Sequence, residues 1–139
     1  MNITIDMKMM RYINLFSKIS RVNTTNRFVY NNVLIFAVPR KRISQAIGKQ
    51  GVNMKKVGEA FRKRVKVIPM PEGRQNIRDF IMNIVSPATF NKIEIRDNNV
   101  TINAGKIDKA ALIGRGRTRE KELEEILRRV FGVASVRIG

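Results

Sequence analysis

The chain contains no cysteine and no histidine among its 139 residues. Without cysteine there are no disulfides and no thiolate zinc sites, and without histidine the usual metal ligand and the usual general base are missing as well. A non-enzymatic protein without cofactor or metal is therefore expected. No apolar run approaches the roughly 18 residues of a spanning helix, and the amino terminus lacks the apolar core of a secretory signal. A cytoplasmic location is expected. Acidic side chains are scarce: 11 Asp and Glu stand against 28 Lys and Arg, a net charge of +17. That excess favours a polyanionic partner, with nucleic acid the leading candidate. An anionic membrane would need a hydrophobic anchor, a lipidation signal or a basic amphipathic helix. None is evident, so no membrane partner is expected.

What is present is a repeat. In residues 7–20, preceded by Asp6 as a candidate N-cap, Met9, Ile13 and Phe16 recur at helical spacing with Met10 and Ile19 beside them. Residues 27–38 are rich in Phe, Val, Ile and Tyr, and Asn31-Asn32 interrupts them where two residues tolerant of left-handed backbone suit a hairpin turn. A short helix over 42–47 stops at Gly48 and Gly51, and a second helix over 52–63 buries Met54, Val57 and Phe61. An apolar strand over 65–70 then meets Pro71-Glu72-Gly73, a linker-like punctuation. The same order returns: a helix over 75–85 with Ile77, Phe80, Ile81 and Ile84 on one face, ended by Ser86-Pro87, then strands over 92–96 and 100–103 around Asp97-Asn98-Asn99. A short helix over 108–113, a loop over 114–117, a long helix over 118–131 and a strand over 133–138 complete it. The second hairpin turn follows the first at an offset of 67, whereas Ile47-Gly48 maps onto Ile113-Gly114 at 66. The expectation is an α+β protein of two domains, 1–73 and 74–139, with little chain left for anything else.

The segment Ala46-Ile47-Gly48-Lys49-Gln50-Gly51 is similar to the I-G-x-x-G signature of KH domains. Its context, between two helices, after a hairpin and before an apolar strand, is the full type II KH order, so the resemblance implies two tandem type II KH domains. Glycines without a Cβ let the main chain approach a sugar-phosphate backbone. The helix that follows offers unpaired N–H groups and a favourable dipole to a phosphate, and Lys49 adds a full charge. Lys55 and Lys56 extend the basic rim, and Arg40, Lys41 and Arg42 form a basic run just before the loop helix. By the resemblance, Ile43, Ile47 and Val52, with Val65 or Val67, would floor a groove for about four unpaired nucleotides; the valines would serve equally as ordinary core.

The second copy departs from the signature. Ile113-Gly114-Arg115-Gly116-Arg117 keeps the first glycine and places Arg117 where the second belongs. A local shift that lets Gly116 substitute, with altered phosphate geometry, is expected, and Arg115, Arg117 and Arg119 give this loop more positive charge than the first. Glu120, Glu122, Glu124 and Glu125 read as a solvated helix face, with Glu124 and Arg128 paired at i,i+4. Residues 1 to 73 carry 15 basic and 3 acidic side chains and residues 74 to 139 carry 13 and 8, so the first half should dominate electrostatic binding.

Two adjacent type II KH units with a short junction resemble the RNA-binding core of the NusA family, in its archaeal form. The resemblance implies a factor that binds single-stranded nascent RNA and modulates transcription elongation, termination or antitermination. RNA polymerase is a second partner that it raises; bacterial relatives add an amino-terminal polymerase-binding domain and an S1 domain, which no segment here would encode. The alternative is a ribosomal or ribosome-assembly KH protein. No Walker A motif surrounds Gly48-Lys49, and no aromatic RRM signature occupies the strands.

Overall fold

The structure is a computed structural model; it describes residues 3–139, with the side chains of residues 3 to 6, 8 and 9 outside the described set. The chain is α+β and divides into two compact units, Met1–Met70 and Pro71–Gly139.

In the first unit, helix α1 (Ile3–Ser20) leads into an antiparallel hairpin of β1 (Arg27–Tyr30) and β2 (Val33–Val38). The turn residues Asn31 and Asn32 have φ of 51° and 62°, the left-handed pair that matches hairpin twist. A single turn at Arg40–Arg42 precedes α2 (Ile43–Ile47), and the Gly loop leads into α3 (Val52–Phe61) and then β3 (Arg64–Pro69). Strand β3 lies parallel to β2, so the sheet order is β1-β2-β3. A parallel return needs a crossover of a dozen or more residues, and α2, the loop and α3 supply it.

Alternate residues of β2 explain which face carries the helices. Leu34, Phe36 and Val38 join Tyr12 and Phe16 of α1, Ala46 of α2 and Val57 of α3 in one buried cluster, with Met54 and Phe61 packed against it. The Phe16 and Phe36 rings stack with centroids 4.1 Å apart, and Tyr12 meets Phe61 edge-on at 4.4 Å, an arrangement that adds to area burial. The helix begins four residues before the expected start, so Asp6 lies inside it; the side chains of Asp6 and Met9 are outside the described set. The buried stripe is Tyr12 and Phe16, one helical turn apart, while Met10 is 56% exposed, because a residue two positions from Tyr12 points to the opposite side. Ser20 closes the helix: its Oγ donates to the Phe16 carbonyl at 2.7 Å and accepts from the Val22 N–H at 3.1 Å.

The second unit repeats the order with α4 (Ile77–Val85), β4 (Lys92–Arg96), β5 (Asn99–Asn103), α5 (Lys106–Ile113), α6 (Thr118–Phe131) and β6 (Ser135–Ile138). Its sheet order is β4-β5-β6, antiparallel then parallel. All four expected residues of α4 are buried, together with Leu112, Leu123, Ile126 and Leu127 of α5 and α6. The hairpin turn is the pair Asp97-Asn98, at φ 50° and 65°, rather than the three residues expected, and Asn99 already pairs with Arg96. Asn31 therefore maps to Asp97, and Gly48 to Gly114, both 66 positions apart. The spacing changes only within the second helix of the crossover and the connection after it, where α6 has 14 residues against 10 in α3 and three residues rather than two lead into the strand: Val65 faces Leu34 as Val136 faces Val100.

Both tyrosines, Tyr12 and Tyr30, lie in the first unit, so tyrosine fluorescence reports that unit alone. Phe16→Ala should lower its unfolding free energy by about 3–5 kcal/mol, the usual cost of emptying a buried aromatic site. Urea titration followed by tyrosine emission checks this, and a loss below about 1 kcal/mol would contradict the ring stack as a core element.

Candidate nucleic-acid interface

The first loop is held open by three residues with positive φ. Gly48 sits at φ 82°, ψ 166°, Gln50 at φ 55°, ψ 28°, and Gly51 at φ 75°, ψ 17°. The Gly51 N–H donates to the Gly48 carbonyl at 3.0 Å. The Val52 N–H donates to the Lys49 carbonyl, and helix α3 starts with no side-chain hydrogen bond at its N-cap, so no capping side chain competes with an anion for the N–H groups that follow Val52. The two glycines are required for different reasons. A Cβ on Gly48 would come within 2.8 Å of the Asn53 carboxamide and 3.0 Å of the Asn53 backbone nitrogen, whereas a Cβ on Gly51 would meet nothing within 4 Å. Gly48 allows close approach; Gly51 only has to turn.

Asn53 and Gln45 brace the loop from beneath. The Asn53 Nδ2 donates to the Gln45 carbonyl at 3.0 Å, while the Gln45 side chain donates to the Arg21 carbonyl at 3.1 Å and accepts from Arg42 at 2.8 Å. Sequence reasoning missed this bracket because neither residue belongs to the signature. Lys49, Gln50, Lys55 and Lys56 are exposed and Ile47 is half-buried beside them. Of the apolar floor, Ile43, Val65 and Val67 are half-buried and packed against the core, and Val52 at the helix start is 41% exposed. On the same strand, burial and then the neighbouring Arg64 charge lower the Lys66 ammonium below its ordinary value.

The second loop keeps the backbone of the first, residue for residue. Gly114 (φ 73°, ψ 171°), Gly116 (φ 62°, ψ 26°) and Arg117 (φ 61°, ψ 23°) follow Gly48, Gln50 and Gly51. The expected shift does not occur: Gly116 occupies the Gln50 position, and Arg117 itself takes the left-handed conformation. For a residue with a Cβ this costs roughly 1–2 kcal/mol. What holds Arg117 there is Glu120, which accepts from its Nε at 2.8 Å and its Nη2 at 3.0 Å, a two-pronged charged pair. Glu120 also accepts the Ile138 N–H at 2.9 Å and lies 3.7 Å from Arg137.

Glu120 is 5% exposed, which corrects its reading as part of a solvated face. It lies on the stripe Glu120, Leu123, Leu127, all buried, and that i,i+3,i+7 spacing was the signal available in the sequence. Burial pushes its carboxyl up, but the Arg117 hydrogen bonds, the Ile138 N–H and the charges of Arg117 and Arg137 outweigh it and hold the carboxyl below its ordinary value. Arg119 pairs with Glu122 at 2.6 Å, and Arg128 with Glu124 at 3.1 Å as the i,i+4 spacing implied. Arg115 is exposed and, among the described residues, carries no such pair. The extra charge of the second loop is thus largely met by its own acids, while among the described residues no ion pair engages the exposed lysines of the first loop.

Glu120→Gln should destabilise the second unit by about 2 kcal/mol at neutral pH, the worth of hydrogen bonds to a charged group. The folded carboxyl titrates below its unfolded value of about 4.3, so the stability it contributes is complete above that pH and is lost as pH falls through the lower, folded value. Hydrogen exchange at Leu123 and Leu127 should show variant and parent far apart at pH 7 and converging in acid. A constant gap down to the acid limb would place the stabilisation elsewhere.

No family model matches the chain. It is 24% identical to the "Probable transcription termination protein NusA" of Halococcus morrhuae, covering 99% of both chains. It is 26% identical to the protein of the same name from Methanococcus vannielii, over 91% of this chain and 73% of that one. Among solved structures, the crystal structure of APE1850 matches with a TM-score of 0.64 and 29% identity, over 94% of this chain and 96% of that one. Similar over most of its length to archaeal proteins of that name, the chain is NusA-like.

Proposed function

We propose that this chain is a transcription factor that binds single-stranded nascent RNA and modulates elongation, termination or antitermination. In this reading it consists of two tandem type II KH domains, 1–73 and 74–139. The observation that carries it is the first loop: a left-handed turn between two helices, a helix start without a side-chain cap behind it, and three exposed lysines around it. A strand of phosphates is the ligand that such a combination suits. The element order of each unit, with its third strand parallel to its second, supports the domain assignment. The names of the Halococcus and Methanococcus relatives support the role in transcription, with RNA polymerase as a further partner.

In this reading each residue of the two loops has a role. Gly48 and Gly51 bring the main chain to the RNA backbone, Lys49, Lys55 and Lys56 neutralise phosphates, and Gln50 shapes the turn. Ile47 begins the apolar floor on which bases lie. In the second copy Gly114 and Gly116 repeat the main-chain surface, and Arg115 supplies its open charge. Arg117 and Arg119 act second to it, since each shares its charge with a glutamate. The first loop is the principal clamp, and the second extends the bound length. Among the described residues no helix is long and apolar enough to cross a membrane.

Affinity for single-stranded RNA should fall with salt by about 0.7 in log K per log salt for each phosphate neutralised, so about four to six contacts give a slope near −3 to −4. Replacing Lys49 and Gln50 together by Asp reverses the loop charge, and Asp tolerates the left-handed backbone that Gln50 adopts; binding should collapse in a folded protein. Arg115→Ala should weaken binding of RNA of about ten nucleotides and spare four-nucleotide ligands, which fill one groove. Equilibrium titrations with RNA of both lengths decide it, and an Asp pair that binds like the parent overturns the reading. Crosslinking of bound RNA in cells separates the alternatives: transcript leaders accord with transcription, ribosomal RNA alone with ribosome assembly.

A further inference from the structure

The first unit holds a cavity of about 600 Å³ away from the Gly loop, between α1, the 21–26 connection and the end of β2. In a protein of net charge +17, no charged side chain is among the described residues that line it. Its walls present three carboxamides, Asn14, Asn23 and Asn26, over an apolar floor that includes Ile13, Ala37 and Pro39. The connection is fixed rather than loose. The Thr24 hydroxyl donates to the Ala37 carbonyl at 2.6 Å and accepts from the Asn26 N–H at 3.1 Å, and the Ala37 N–H returns to the Asn26 carbonyl at 2.9 Å. These bonds engage Thr24 and the Asn26 main chain, but none of the three carboxamides.

The chain on either side is basic. Arg40 and Lys41 directly follow Pro39, and Arg21 stands two residues before Asn23. All three are exposed. The carbonyl of Arg21 accepts from Gln45, which Asn53 ties to the Gly loop, so the cavity wall and the loop share one bracket. A phosphate would find no cation among the described lining residues, whereas a flat, neutral, polar group over an apolar floor would find paired donors and acceptors. Carboxamides recognise base edges in this way, with a donor and an acceptor side by side, and the volume falls in the ordinary range for small-ligand pockets.

We propose that this cavity is a nucleobase subsite: it takes one base of the same single-stranded RNA, outside the stretch held at the Gly loop, while Arg21, Arg40 and Lys41 carry the intervening phosphates. The inference rests on the RNA-binding reading above. It assigns the first unit a footprint longer than one groove, with base selectivity set by Asn14 and Asn23.

The test is a walk of single abasic nucleotides along a ten-nucleotide RNA, with affinity measured on the full chain. An abasic residue keeps sugar and phosphate and removes only the base. Beyond the consecutive positions held at the loop, one separate position should cost about tenfold, a typical loss for one held base. That loss should vanish in the double variant Asn14→Leu, Asn23→Leu, and again in Ser17→Phe, which fills the cavity from α1. Both variants should bind a four-nucleotide RNA like the parent, which shows that each is folded and that the loop site is intact. No separate position, or a tenfold loss that persists in both variants, overturns the subsite while leaving the loop reading standing. Failure of the loop reading shows differently, as unaltered binding after the Lys49 and Gln50 to Asp exchange.

Discussion

The parallel pairing of β3 with β2, and of β6 with β5, is the constraint from which the rest of each unit follows. A strand that must run beside its predecessor in the same direction requires a long return path across one face of the sheet. Here that path is two helices, and the joint between them has to reverse the chain within four residues. Left-handed backbone at three of those residues achieves this. The same reversal projects the joint away from the core and presents the start of the longer helix. The polar main-chain surface of the site is thus a by-product of sheet topology, and the side chains on it are what each copy varies.

The two copies vary it in opposite ways. At the first joint Gly51 meets the backbone demand at the helix start and Gln50 takes the positive φ before it, and among the described residues no ion pair engages the lysines nearby. At the second, arginine meets it, and a buried carboxylate offsets the strain by gripping the guanidinium. That carboxylate also accepts the main-chain N–H of Ile138, so the loop, the long helix and the last strand are joined through one side chain. Net charge by sequence counting ranks the second loop as the more basic. Once ion pairs are drawn, the first is the more available to a ligand.

The element order was legible in the sequence because apolar periodicity and turn chemistry agree at nearly every step. Asn31-Asn32 and the run after it could hardly be anything but a hairpin, and Ile77, Phe80, Ile81 and Ile84 define a buried face unaided. Less legible were features decided by contacts distant in the chain. Tyr12 carries the buried stripe of the first helix because Phe61 receives its ring, and periodicity alone does not rank it above its methionine neighbours. Glu120 reads as solvated because its neighbours in sequence are acidic; besides the nearby Arg117, the groups that bind it, the Ile138 N–H and Arg137, come from the last strand. The bracket of Gln45 and Asn53 could not be read either, since it acts through main-chain carbonyls. Among the site residues, the signature located the glycines, but it was silent on which arginines are already engaged.

The uniform spacing of 66 positions, from the hairpin turn at Asn31 and Asp97 through the joint at Gly51 and Arg117, has a consequence for how such a chain tolerates rearrangement. Up to the first turn of the long helix, the two copies are interchangeable parts: a stretch lifted from one would enter the other without insertion or deletion, carrying its own charge pattern onto the same backbone. Past that turn the four extra residues of α6 break the equivalence. Duplicated copies can therefore exchange their recognition surfaces while the lengths of their scaffolds drift apart.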